Sequence, residues 1–146
     1  EIASLAKTHF CRAIGLDHGV GMADNYTLRH KLGNDMIYEY AYTSGNKAIT
    51  YDNEKCMFSL NRTISLNLLF TALKKQDIHF PKFEQAKIYF DDILSISEDV
   101  REGPGGKKKF YVRNPSIPDD FCHALNFAMV TLRLITDDTI LRSSMV

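Results

Sequence analysis

The most regular pattern in the sequence lies between residues 121 and 132. Apolar side chains recur there at i, i+3, i+4, i+7, i+8 and i+11, as Phe121, Ala124, Leu125, Ala128, Met129 and Leu132. This spacing puts them on one stripe of an α-helix. Pro118 and the two aspartates after it are typical of a helix start. A chain of 146 residues is long enough to bury such a stripe, because a domain of this size buries roughly 68–70% of its unfolded surface.

Strand-like and helix-like segments alternate along the rest of the chain. The apolar spacing predicts helices over residues 2–10, 22–32, 62–75 and 82–96. β-prone residues predict strands over residues 10–16, 36–42 and 48–51, the last two forming a hairpin or two consecutive strands. Residues 94–100 and 108–112 flank a glycine-rich turn, which predicts a β-hairpin before the last helix. We expect one domain over residues 1–135 and a flexible polar tail over residues 136–146.

Composition excludes several classes of protein. The 18 basic and 18 acidic side chains cancel, which argues against a strongly basic nucleic-acid-binding domain and leaves only local patches. The cysteines are far apart and form no C-x-x-C pair, which favours neither a disulfide framework nor a zinc site: Cys11, Cys56 and Cys122. A reducing cytoplasm is therefore expected. No apolar run approaches the ~18 residues of a membrane helix, so no membrane partner is expected.

Two short segments carry carboxylates where a metal ion would need them. Asp17 ends a predicted buried strand, and open α/β sheets present ligand-binding groups at the carboxyl ends of their strands. Asp119 and Asp120 open the last predicted helix, on the side away from its buried stripe. Carboxylate oxygens are hard ligands that suit Mg²⁺ or Mn²⁺. Asp17, Asp119 and Asp120 are therefore candidate metal ligands.

Each of these acids also has an ordinary structural explanation. An aspartate at a helix start commonly accepts the N–H groups of the first turn, and one of Asp119 and Asp120 can do so while the other binds metal. Asp17 can form an Asx turn before Gly19.

Two histidines lie close in sequence to these acids. His18 follows Asp17, and His123 lies one turn after Asp119, so each is a candidate to orient a ligand or shuttle a proton. For His123 the alternative is a partly buried helix residue. The sequence holds no H-E-x-x-H motif and no phosphate-binding G-x-x-x-x-G-K-[ST] loop.

The predicted hairpin carries a run of basic residues. Lys107, Lys108 and Lys109 are followed by Tyr111 and Arg113, a mixture of cations and an aromatic ring that suits a nucleic-acid backbone. We expect the three lysines and Arg113 to contact DNA. A solvated hairpin tip without a ligand is the alternative.

Five segments, taken in order, resemble the C-terminal nuclease domain of the large terminase subunit of tailed double-stranded DNA bacteriophages. They are CRAIGLDHGVG at 11–21, LRHKLG at 28–33, NRTI at 61–64, IHFP at 78–81 and NPSIPDDFCHAL at 114–125. The resemblance runs from about residue 10 to residue 132, and the last two segments are the most diagnostic. It implies an α/β fold of the ribonuclease H-like type, a mixed sheet flanked by helices.

The resemblance also implies an activity. Such domains hold two divalent metal ions with a cluster of acids and hydrolyse a phosphodiester bond. Asp17 matches the strand-borne acid of the cluster, while Asp119 and Asp120 match the acids at the C-terminal helix, so these carboxylates are expected to converge within reach of one ion. The expected role is endonucleolytic cleavage of concatemeric double-stranded DNA at the start and end of genome packaging. The expected partners are that DNA, the portal protein and the small terminase subunit, in the host cytoplasm and transiently at the procapsid portal, outside the mature virion.

One departure from the family leaves alternatives open. The family's first catalytic acid lies on an earlier strand, and nothing before Asp17 provides it, so we expect an N-terminally truncated, partial nuclease domain without the ATPase motor. A non-catalytic module that binds DNA or the portal is the first alternative. Another ribonuclease H-like nuclease, of the resolvase or transposase type, is the second.

Overall fold

The computed structural model describes residues 1–19, 21–103 and 105–136. These residues form two compact units. The first contains Glu1–Asn61 and the described residues from Phe127 onward, and the second contains Arg62–Asn126. The predicted tail after Thr136 lies outside the described residues.

The first unit is an α/β structure. Its helices are α1 and α2, and its sheet has four strands, β1 to β4: α1 Ile2–Thr8, β1 Ile14–Asp17, α2 Met22–Leu32, β2 Ile37–Thr43, β3 Ile49–Asp52 and β4 Met57–Asn61. A single 3-10 turn, Asn34–Met36, lies between α2 and β2. Helix α2 ends as predicted at Leu32, because Gly33 follows with a φ of +96° and donates its N–H to the carbonyl of Arg29.

The sheet is mixed, with the strand order β1-β2-β4-β3. Strand β2 lies parallel to both β1 and β4, while β3 runs antiparallel to β4 at the edge. The predicted pairing of β2 with β3 as a hairpin is therefore wrong, and the alternative of two consecutive strands is correct. Strand β4, which the sequence patterns did not indicate, is inserted between them.

Helices cover both faces of this sheet. Consecutive strand residues point to opposite faces: Glu39 of β2 meets Arg29 of α2, whereas Tyr40 stacks against Phe127. Phe127 belongs to the last helix, α5 Asp120–Ile135, whose second half lies in the first unit. The expected mixed α/β sheet flanked by helices is thus confirmed.

The sheet packs against the second half of α5 around a buried hydrogen bond. The hydroxyls of Tyr40 and Thr131 lie 2.8 Å apart, and both side chains are almost fully buried. Gly15 of β1 lets the helix approach, because a Cβ there would lie 2.7 Å from Thr131 Oγ1 and 2.9 Å from the carbonyl oxygen of Phe127. Helix α5 therefore occupies the space beside Gly15.

The second unit contains two helices, a hairpin and the first half of α5. Its elements before α5 are α3 Arg62–Lys74, α4 Phe83–Leu94, β5 Ile96–Gly103 and β6 Gly106–Arg113. Strands β5 and β6 pair antiparallel from Ile96 opposite Arg113 to Gly103 opposite Gly106, which confirms the predicted hairpin. Phe70 of α3 stacks on Tyr111 of β6, so the base of the hairpin rests on α3. No helix among the described residues is long and apolar enough to cross a membrane.

Candidate functional site

Asp17 lies in a tight turn at the end of β1. Its Oδ2 accepts a hydrogen bond from the N–H of Gly19 at 3.2 Å, which is the Asx turn considered above. A side chain at residue 19 would clash, because a Cβ there would lie 2.6 Å from the same oxygen. Asn25 of α2 donates to the carbonyl of Asp17 at 2.8 Å. The turn is therefore fixed from both sides while the Asp17 side chain remains exposed.

The residue after Asp17 is held by a buried carboxylate. His18 Nδ1 lies 2.8 Å from Glu39 Oε2, and Arg29 Nε donates to Glu39 Oε1 at 2.8 Å. Glu39 is only 7% exposed. An ionised carboxylate only accepts hydrogen bonds, so His18 donates through Nδ1.

Hydrogen bonding determines the charge state of Glu39. Burial raises its pKa, but hydrogen bonds from His18, Arg29 and Asn25, together with the charge of Arg29, outweigh burial and hold the pKa below its ordinary value of 4.5. Glu39 is therefore ionised at neutral pH. The sequence patterns assigned no role to Glu39, although a carboxylate in the middle of a strand of apolar and aromatic residues was an available signal.

The geometry around His18 limits what its ring can do. With Nδ1 committed to Glu39, Nε2 lies on the opposite edge of the ring, and no hydrogen-bond partner for Nε2 is found among residues 1–19, 21–103 and 105–136. A carboxylate that holds one ring nitrogen fixes the tautomer and the direction of the other. The structure thus shows how a histidine beside Asp17 is oriented.

In the second unit, Asp119 joins two of the predicted site residues. Its Oδ1 accepts from Arg113 Nη1 at 3.1 Å, and its Oδ2 lies 3.0 Å from His123 Nε2. Asp119 is buried, His123 is partly buried and Arg113 is about half exposed. The structure brings Arg113, Asp119 and His123 together as one cluster.

Asp120 differs from Asp119 in its surroundings. It is the first residue of α5 and is exposed. The acceptor for the N–H of Phe121, in the first turn of α5, is Asp92 Oδ2 of α4 at 3.0 Å. Asp92 therefore contributes to capping α5. The sequence patterns predicted this role only for Asp119 and Asp120.

Cys122 lies behind this helix start. Burial, with the nearby charges of Asp119 and Asp92, raises the pKa of its thiol to about 12, against the opposing effect of Arg62. The thiol is fully buried. Cys122 is therefore a protonated core residue and not a nucleophile.

The hairpin lysines have unequal surroundings. Lys107 Nζ lies 3.8 Å from Glu102 Oε1, and Lys109 Nζ lies 3.0 Å from Glu98 Oε1. The ion pairs of the described residues do not include Lys108. Within the predicted basic run, glutamates of β5 therefore pair with Lys107 and Lys109 but not with Lys108.

The two groups of predicted acids belong to different units, Asp17 to the first and Asp119 and Asp120 to the second, so their expected convergence stays a prediction. In the described ranges, no group of three or more His, Cys, Asp or Glu side chains is arranged to hold a metal ion. No protein-family model, curated protein or solved structure matches the chain.

Proposed function

We propose that the chain is a divalent-metal-dependent DNA endonuclease domain of a phage packaging terminase, with a ribonuclease H-like fold. It would hydrolyse phosphodiester bonds of concatemeric double-stranded DNA to start and end genome packaging. The observation that carries this proposal is the position of Asp17, an exposed carboxylate where β1 ends beside the parallel strand β2. Open α/β sheets bind ligands at that edge.

The acids of the proposed nuclease have different surroundings. Exposed carboxylate oxygens, as on Asp17 and Asp120, are the ligands that Mg²⁺ or Mn²⁺ prefers. Both oxygens of Asp119 are already engaged by Arg113 and His123. In this proposal Asp17 and Asp120 contact the metal directly, whereas Asp119 positions Arg113 and His123.

Two further residues, His18 and Arg113, would transfer a proton and bind the phosphate. Bound divalent ions would supply an acidified water and neutralise developing charge. His18 is held by Glu39 so that its Nε2 can accept or return a proton. Arg113 uses one guanidinium nitrogen on Asp119, and its other N–H groups can donate to phosphate oxygens.

The resemblance extends the proposal to partners. They are double-stranded DNA, the portal protein and the small terminase subunit. The proposed location is the host cytoplasm, with transient attachment to the procapsid portal and no place in the mature virion.

Plasmid nicking tests the activity. Supercoiled DNA is incubated with the chain and Mn²⁺ or Mg²⁺, and Asp17→Asn and Asp120→Asn are expected to abolish nicking. Asp77→Asn makes the same chemical change at an exposed aspartate of the second unit and should nick as the unsubstituted chain does. Undiminished nicking by Asp17→Asn would remove Asp17 from the reaction.

A non-catalytic module that binds DNA or the portal is the second candidate. The hairpin favours it, because strands β5 and β6 carry five basic and three acidic residues and binding by lysines requires no metal. In that case the chain binds DNA without divalent ions and does not nick it with them.

A further inference from the structure

The two faces of the β5–β6 hairpin carry different chemistry. Side chains alternate between the faces of a strand, and the pairing register fixes which residues share a face. We call the first the paired face: Ile96, Glu98, Val100, Glu102, Lys107, Lys109, Tyr111 and Arg113. We call the second the Phe110 face: Ser97, Asp99, Arg101, Lys108, Phe110 and Val112.

Each cation of the paired face is compensated by an acid: the two lysines by glutamates, and Arg113 by Asp119, with Nη1 3.1 Å from Oδ1. Lys107 pairs with Glu102 directly across the ladder, and Lys109 pairs with Glu98 on the diagonal. The hydrogen bond and the charge of Glu98 raise the pKa of Lys109. A phosphate that approached these lysines would meet two carboxylates on the same face.

The Phe110 face combines excess positive charge with an aromatic ring. Lys108 stands directly opposite Arg101, an arrangement of like charges that destabilises a hairpin. Asp99 accepts from Arg101 Nε at 2.9 Å, which leaves this face with two cations and one anion. The Arg101 guanidinium lies over the Phe110 ring, with its carbon 5.7 Å from the ring centroid, and Phe110 is 39% exposed.

A ring flanked by cations suits an unpaired nucleic-acid strand. Aromatic side chains stack on exposed bases while neighbouring cations contact the phosphates. In a duplex the bases are stacked on one another, so a ring on a hairpin surface cannot reach their faces. Lysines that only track a duplex need no such ring.

We propose that the Phe110 face binds a single DNA strand, with a base stacked on Phe110 and phosphates contacted by Arg101 and Lys108. This inference rests on the proposed function only in taking DNA as the ligand. It adds that the hairpin holds an unpaired strand, and it requires neither metal nor cleavage.

Fluorescence anisotropy of the full chain without divalent ions tests the inference. The probes are a labelled oligodeoxynucleotide of about 12 nucleotides, within the usual site sizes, and the duplex of the same sequence. The single strand is expected to bind more tightly. Equal or tighter binding of the duplex, or no binding of either probe, would overturn the proposal.

Substitutions of Phe110 then test how much its ring contributes to binding, independently of the neighbouring charges. Phe110→Ala should weaken single-strand binding about 5- to 150-fold, the range for loss of one base stacked on an aromatic ring, whereas Phe110→Tyr should retain it. Should Phe110→Ala disturb the hairpin, as judged by circular dichroism, Phe110→Leu keeps apolar bulk without the ring and should also lose binding. Retained binding in a folded ring-less variant contradicts base stacking.

The lysines provide a matched comparison. Lys108→Ala should weaken binding and reduce the salt slope by about 0.7, the value for one phosphate contact on a single strand. Lys107→Ala and Lys109→Ala remove the same charge from the paired face and should have a clearly smaller effect. Equal losses of binding at the three positions would contradict the assignment of the strand to the Phe110 face. Because binding is measured without metal, failure of the nicking experiment leaves this result intact, and the reverse also holds.

Discussion

Glu39 and His18, 21 residues apart in sequence, are joined by a 2.8 Å contact between Oε2 and Nδ1. The carboxylate is buried on β2, whereas the histidine follows the strand that ends at Asp17. The pair links the turn at Asp17 to the neighbouring parallel strand.

Glu39→Gln should destabilise the first unit in a pH-dependent way. The folded pKa of Glu39 lies below 4.5, so ionised Glu39 contributes stability above the unfolded pKa and loses it as the pH falls through the folded pKa. We expect a cost of about 1.5–3 kcal/mol at neutral pH, the range for hydrogen bonds to a charged group. Urea unfolding of both proteins measures the difference, which should shrink below about pH 4.5. A constant difference down to about pH 3 would contradict the assignment.

Tyr40→Phe should destabilise the first unit by about 1–3 kcal/mol, the cost of leaving a buried polar group unsatisfied. The substitution removes the partner of the Thr131 hydroxyl and leaves the stacked ring in place. Tyr89→Phe makes the same change at an exposed ring and should stay within about 0.5 kcal/mol. Chemical denaturation measures both, and equal effects would argue against the buried hydrogen bond.

Gly15→Ala should destabilise the first unit by about 1–3 kcal/mol, as overpacking does. The added methyl group would meet a backbone oxygen of α5 at 2.9 Å, and backbone moves less easily than a side chain. Gly45→Ala is the control, since its nearest contact would be 3.7 Å, at Thr43 Oγ1. If the thermal midpoints of the two variants coincide, the helix is not as close to β1 as described.

The three cysteines should differ in their reaction with a thiol reagent. Cys11 and Cys56 are exposed and Cys122 is buried, and burial raises the pKa of the Cys122 thiol to about 12. Ellman's reagent should therefore modify two thiols of the folded chain promptly and the third only after denaturant is added. Prompt reaction of all three would show that the start of α5 opens readily. The variant Cys122→Ala identifies the slow thiol.

Local patterns predicted the helices well, because apolar spacing and end signals act within a few residues. The start of α2 at Met22 and its end at Leu32 agree with the prediction, and α3 ends one residue earlier than predicted. Strand β4 was missed since its five residues, Met57–Asn61, show no clear alternation. The turn signal at Gly45 suggested a local hairpin, whereas parallel pairing of β2 with β4 depends on contacts that no local pattern reveals.

The candidate site was predictable only in part, for the same reason. Asp17 could be predicted as a candidate ligand because it lies at the end of a strand. The contact of His123 with Asp119 could be predicted from their i, i+4 spacing. The partnership of Glu39 with His18 depends on the register of β1 against β2. The division of the three lysines depends on the register of the hairpin.

The aromatic residues of the first sheet have an optical consequence. The chain contains no tryptophan, so its intrinsic fluorescence is that of tyrosine. Four of its seven tyrosines lie on strands of this sheet, each with its ring close to a phenylalanine ring: Tyr38, Tyr40, Tyr42 and Tyr51. The first sheet therefore carries its own fluorophores, and the loss of its structure can be followed by emission without an attached dye.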